Sequence, residues 1–100
     1  MDISVYRSQS NDTVPLTNHA IKRMNTRNLS LEAVCSTLRY GRLVYAKGAA
    51  IHAIGRKEVH RYKKIGINLS AYEGVQVLCN PKNGVVITVY RNRNFRRLCF

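Results

Sequence analysis

The order of periodicities along this chain predicts an α+β fold, with two N-terminal helices followed by an antiparallel sheet. Three observations carry that expectation. Apolar residues recur at helical spacing between Thr17 and Gly41, and beyond Gly41 the period falls to two. Two β-branched runs, Val75–Cys79 and Val85–Arg91, then flank an Asn-Gly turn. With 100 residues there is one core's worth of chain, so the reading is a single domain over 17–100, preceded at 1–16 by an arm or edge strand.

The elements follow in order. Ile3 and Val5 alternate weakly before a polar stretch through Thr13. Thr17 or Asn18 can cap a first helix running from His19 to Arg27, with Ala20, Ile21 and Met24 on its apolar face. Asn28-Leu29 links it to a second helix, for which Ser30 is the N-cap and Glu32 the favourable first-turn acid. Leu31, Val34, Cys35 and Leu38 make that helix's apolar stripe, and Gly41 stops it as a left-handed residue would. Leu43–Lys47 and Ala50–Ile54 read as a hairpin about Gly48-Ala49. Arg56–Ile65 reads either as a charged helix closed by Gly66 or as a basic loop. On the last strand, strict alternation sets Val85, Ile87 and Val89 against Val86, Thr88 and Tyr90.

Charge is the strongest compositional signal. Seventeen Lys and Arg against five Asp and Glu leave a net charge of +12, which calls for a polyanionic partner. Arg outnumbers Lys, favouring planar, bidentate phosphate contacts over a diffuse membrane patch. Asp2, Asp12, Glu32, Glu58 and Glu73 are scattered, so clustered carboxylates for a metal-dependent nuclease or a glycosidase are not expected. The glycines form no phosphate loop, and Cys35, Cys79 and Cys99 have neither disulfide nor zinc spacing. No cofactor or metal is expected. The N-terminus lacks the pattern of a secretory leader, and the expected compartment is the cytoplasm, with no membrane partner.

A basic protein without a metal can still cut RNA, because the ribose 2′-OH supplies the nucleophile. The protein then needs a proton carrier and cations for the phosphorane charge. His19, Arg23 and Arg27 fall at i, i+4 and i+8 on the first helix, so His19 can move a proton while Arg23 holds phosphate. The competing reading is a capped helix start with a solvated arginine face. Thr88 and Tyr90 are the second candidates, on the sheet face away from the helices, with Tyr45, Lys47 and His52 able to share it. Ordinary strand propensity also explains them. Arg56, Lys57 and Arg61 lie in a phosphate-tracking cluster with His60 and Tyr62, and Glu58 there reads as a general base or, in preference, as an internal salt-bridge partner. Arg91, Arg93, Arg96 and Arg97 form a last basic cluster.

The run His19-Ala20-Ile21-Lys22-Arg23-Met24, with Arg27 and Ser30 following, resembles the opening of a bacterial family of small domains of unknown function. In that family H-A-x-x-R-M-x-x-R-x-I-S begins the domain, a Gly ends the second helix, and a V-I-T-V-Y-R-like strand closes it. Gly41 and Val86–Arg91 stand in those places here. Such domains resemble RelE/ParE-type toxins and, more broadly, the barnase–EndoU–colicin–RelE group of metal-independent ribonucleases. The resemblance implies a RelE/ParE-like fold, two N-terminal helices packed on a four-stranded antiparallel sheet, and site roles for His19, Arg23, Arg27, Thr88, Tyr90 and Arg91.

The expectation is therefore an RNA-cleaving toxin, half of a toxin–antitoxin pair. His19, Arg23, Thr88, Tyr90 and Lys47 would serve catalysis. Arg27, Arg56, Lys57, Arg61, Arg91, Arg93, Arg96 and Arg97 would bind the nucleic acid. Its partners would be RNA, with or without the ribosome, and an acidic antitoxin or immunity protein. A non-catalytic nucleic-acid-binding module and a ParE-like topoisomerase poison are the alternatives.

Overall fold

The computed structural model describes residues 3–7 and 13–92. Among these, six strands form one mixed sheet and three α-helices pack on or beside it. The strands are β1 (Ile3–Arg7), β2 (Thr13–Thr17), β3 (Arg42–Ala46), β4 (Ala49–Ala53), β5 (Val75–Cys79) and β6 (Val86–Arg91). The helices are α1 (Asn18–Thr26), α2 (Leu31–Tyr40) and α3 (Arg56–Lys63). The sheet order is β1-β2-β6-β5-β4-β3, with every pairing antiparallel except β2 beside β6. The expected arrangement of two helices on a four-stranded antiparallel sheet is thus corrected, although the class remains α+β. The N-terminal stretch supplies two more strands, and the charged segment after Gly55 is a third helix.

Local chemistry explains the elements. Thr17 ends β2 and caps α1, its Oγ1 accepting the Ala20 N–H at 3.1 Å. Asn28, at φ 53, closes α1 with a left-handed residue. The Leu29 N–H reaches the Met24 carbonyl at 2.8 Å and Asn28 N–H the Asn25 carbonyl at 3.3 Å, the paired bonds of a Schellman motif. Ser30 caps α2 through the Ala33 N–H at 3.1 Å. Gly41 differs from expectation: its φ of −68 and ψ of 153 are extended, not left-handed. Glycine is needed there because a Cβ would run into the Thr37 carbonyl and the Ala53 backbone. The β3–β4 hairpin turns on Lys47 and Gly48, both with positive φ, one residue earlier than the Gly48-Ala49 expected.

Side-chain direction in the sheet follows from its register. Val75, Val77 and Cys79 of β5 join Ala50 of β4, Val86 and Val89 of β6, and Leu16 of β2 in one core. Ala20, Leu29, Val34 and Cys35 close that core from the α1–α2 side. Strict alternation on β6 cannot put both Val86 and Val89 there. A register shift resolves it: Cys79 pairs with Val86 but Leu78 pairs with Thr88, leaving Ile87 as the extra residue of a β-bulge. The expected grouping of Val85, Ile87 and Val89 is corrected accordingly, while Thr88 and Tyr90 do turn to the face away from α1 and α2. Pro15, which has no N–H to donate, sits in β2, and the parallel ladder to β6 is confined to Leu16 and Val86.

Thr17 is fully buried and carries a second bond, its hydroxyl donating to the Ile87 carbonyl at 2.9 Å. Thr17→Val keeps the shape and removes both bonds. It is expected to cost about 2 kcal/mol, as a lost cap plus a lost buried hydrogen bond, with Thr17→Ser within about 1 kcal/mol of the parent. Urea unfolding checks this, the midpoint falling for Thr17→Val with an unchanged m-value.

Candidate nucleic-acid interface

The helix α1 presents two unlike flanks. Ile21, Met24 and Asn25 border an apolar cleft of about 310 Å³ completed by Tyr6, Leu16 and Leu31. Arg23 is half-buried, whereas His19 and Arg27 are exposed, so the cationic stripe read from spacing is a surface feature of the helix. The Thr17–Ile87 hydrogen bond fixes the start of this stripe beside β6. His19 follows Thr17 by two residues and Thr88 follows Ile87 by one. The two segments are therefore joined at their roots, but Thr88 and Tyr90 turn to the sheet face away from α1, so the structure does not bring them together with His19.

On the sheet face away from α1 and α2, cross-strand pairing lines up Arg42, Ala53, Gln76 and Tyr90, one from each of β3, β4, β5 and β6. The next row is Val44, Ile51, Leu78 and Thr88. Tyr90 is half-buried and Gln76 buried. Thr88 is 7% exposed, and its Oγ1 is buried with no hydrogen-bond partner among the described residues. A buried hydroxyl left without a bond costs about 1–3 kcal/mol, which makes Thr88 a polar group with unspent capacity. Gln76 was missed by sequence reasoning, because a single polar residue inside the apolar run Val75–Cys79 gives no signal without the register.

Other predicted residues fall elsewhere. Lys47 is exposed at the tip of the β3–β4 hairpin, three strands from β6 and about 20 Å from Tyr90 by strand spacing and rise. Tyr45 and His52 belong with Ala50 and Val77 on the helix side of the sheet, not with Thr88 and Tyr90 as expected. Arg91 also turns to the helix side, opposite Val75, and donates to the Ala71 carbonyl at 2.9 Å. Its Nε is buried without a partner among the described residues. Arg93, Arg96 and Arg97 lie outside the described residues.

The helix α3 gathers the densest charge. Arg56, Lys57, Arg61, Lys63 and the following Lys64 are all exposed, as is His60. The one acid in the segment faces inward. Glu58 is buried, accepts the Gly55 N–H at 2.7 Å, and pairs with Arg42 at 3.3 Å. Tyr62 packs on Tyr40 with ring centroids 4.9 Å apart. One side of α3 is thus spent on anchoring it to the start of β3 and the end of α2. The opposite side presents cations with no carboxylate of their own helix beside them, the arrangement that neutralises a phosphate backbone.

Two groups are tuned by burial. Cys79 is pushed up to about 11, so its thiol stays protonated and inert. His52 is lowered from its ordinary 6.5 by desolvation. Among the described residues no three His, Cys, Asp or Glu side chains gather as a metal-binding group, and no helix is long and apolar enough to cross a membrane.

Comparison with known proteins gives one match, to a family described as Domain of unknown function (DUF4258), over residues 16–91. No curated protein and no solved structure matches.

The lowered His52 value has a measurable consequence. The folded state binds this proton less readily than the unfolded chain, so the His52 contribution is complete above pH 6.5 and is lost as the pH falls toward the folded value. Urea midpoints taken from about pH 7.5 down to about pH 5 should decline, and His52→Gln should flatten that decline.

Proposed function

The chain belongs to the DUF4258 family, and we propose that it is a metal-independent endoribonuclease of the toxin type. The observation that carries the reading is the cationic stripe of α1, where the exposed His19 stands one turn before Arg23 and two turns before Arg27. The kinship with RelE/ParE-type toxins and the wider metal-independent ribonuclease group is part of this proposal. It rests on the motif residues His19–Ser30 and Val86–Arg91, not on the sheet architecture.

In the proposed reaction the ribose 2′-oxygen bonds to phosphorus and the 5′-oxygen leaves, giving a 2′,3′-cyclic phosphate and a 5′-hydroxyl. Imidazole changes charge nearest neutral pH, so His19 is the residue to take or return the proton. Arg23 holds the charge that builds on the phosphoryl oxygens, a task suited to a guanidinium fork. Arg27 continues the contact along the backbone. Thr88 and Tyr90, which turn to the sheet face away from α1, with the Thr88 hydroxyl buried, are left out of this set. Lys47, at the far hairpin tip, is left out as well. Arg56, Lys57 and Arg61 of α3 bind flanking phosphates. RNA is the substrate, a toxin's acidic antitoxin or immunity protein is the partner, and the cytoplasm is the place of action.

Purified protein, incubated with total RNA and with translating ribosomes in excess EDTA, tests the reading. New ends carrying 2′,3′-cyclic phosphate are expected, and His19→Ala should lower the cleavage rate by roughly 10²–10⁴-fold while retaining RNA affinity. Wild-type rates from His19→Ala would remove His19 from the mechanism. Intact RNA that is retained in a salt-sensitive way would leave a binding module instead.

Replacing Arg56, Lys57 and Arg61 together by Gln separates binding from chemistry. The log–log salt dependence of affinity for a single-stranded RNA should become shallower by about 2, at roughly 0.7 per lost phosphate contact. Filter binding across a salt series measures it.

A further inference from the structure

We propose that the outer edge of β3 receives an extended, acidic segment of a partner protein as a seventh strand. The proposal rests on the sheet edge and the charge balance, and it stands or falls independently of RNA cleavage. Strand β3 ends the sheet order, so among the described residues its outer row of backbone N–H and C=O groups has no neighbouring strand. Such an edge is a template for strand addition unless it is blunted by proline, a bulge or coverage. Arg42–Ala46 contains neither a proline nor a bulge, and no strand among the described residues covers its outer side.

The side chains on this edge suit a partner better than water. Leu43 and Tyr45 point to one face, 46% and 70% exposed, and they lie beyond the core that α2 covers over β4 and β5. An added strand would set its own apolar side chains beside these two, since neighbours in adjacent strands share a face. The surroundings specify the sign of its remaining residues. Lys47 stands at one end of β3, and at the other the Arg42–Glu58 and Tyr40–Tyr62 contacts hold α3 with its outward cations. A segment alternating apolar and acidic residues is complementary to both features.

The same charge argues against other occupants. A second copy meeting this one edge to edge would bring two +12 chains together with their α3 cations close by. Nucleic acid would use the cations but leave the backbone row of β3 unpaired. The other open edge, β1, exposes Ile3 and Val5 but carries a single cation, Arg7.

The test uses the whole chain and a labelled synthetic peptide of about twelve residues alternating Glu and Val, with a control of the same composition in two blocks. The alternating peptide is expected to bind at least about tenfold more tightly than the block peptide. It should also slow amide hydrogen exchange within residues 42–46. The double variant Leu43→Lys/Tyr45→Lys adds two positive charges while removing the apolar seat. If the edge seats the peptide, affinity falls about tenfold, whereas charge attraction alone would raise it. Because both positions are exposed, the thermal midpoint of the variant should stay within about 4 °C of the parent, which shows that the fold is intact. Equal binding of the two peptides, no binding of either, or tighter binding by the double variant overturns the proposal. So does sedimentation as a dimer protected at β3, or protection of β3 by an RNA oligonucleotide instead of the peptide.

Discussion

One hydroxyl joins the two halves of this molecule. Thr17 ends a strand, caps a helix through Ala20, and donates to Ile87 on a strand seventy residues later. It does so while fully buried, where a lost partner cannot be replaced by water. The parallel contact of β2 with β6 adds only the Leu16–Val86 pair, so the side-chain bond carries much of the directional information at that seam. The placement of α1 depends on it, because it sets where the His19 turn leaves the sheet.

A second constraint is the placement of acids in a chain with so few. Glu58 is withdrawn from the surface and divided between a backbone N–H and Arg42. A carboxylate among the exposed cations of α3 would weaken an anion-binding face by direct competition. Turned inward, it instead fixes the helix that displays them. Burial of a charge is tolerated here because its hydrogen-bond capacity is met by both a dipole and a cation.

Much of the architecture was legible in the residues, and the failures have physical causes. Thr17, Ser30 and the apolar stripe of Val34 and Cys35 announced α1 and α2, because caps and helical periodicity are local signals. Val75–Cys79 and the Asn80–Gly84 turn announced β5 and β6 for the same reason. The β1–β2 hairpin was underread: β1 is an edge strand exposed along most of its length, so no alternation of burial constrains its composition. The third helix was ambiguous because its anchoring face consists of Glu58, Val59 and Tyr62, too few apolar residues to set a period. Gln76 joined the Tyr90 row only through register, which no single strand encodes.

The bulge at Ile87 gives β6 a parity. Every side chain after it faces opposite to where simple alternation from Val86 would send it, which is how Val89 reaches the core and Thr88 and Tyr90 the other face. The chemistry displayed by this strand is therefore a matter of counting as much as of identity. Removing Ile87 itself would set Val86 next to Thr88, matching their adjacent partners Cys79 and Leu78, so the bulge would vanish while both sets kept their faces. Substitutions at Thr88 or Tyr90 alter one group at a time. Losing a residue from the regularly paired run Thr88–Arg91 would instead turn the side chains beyond it over, so the count there is fixed in a way that the count at Ile87 is not.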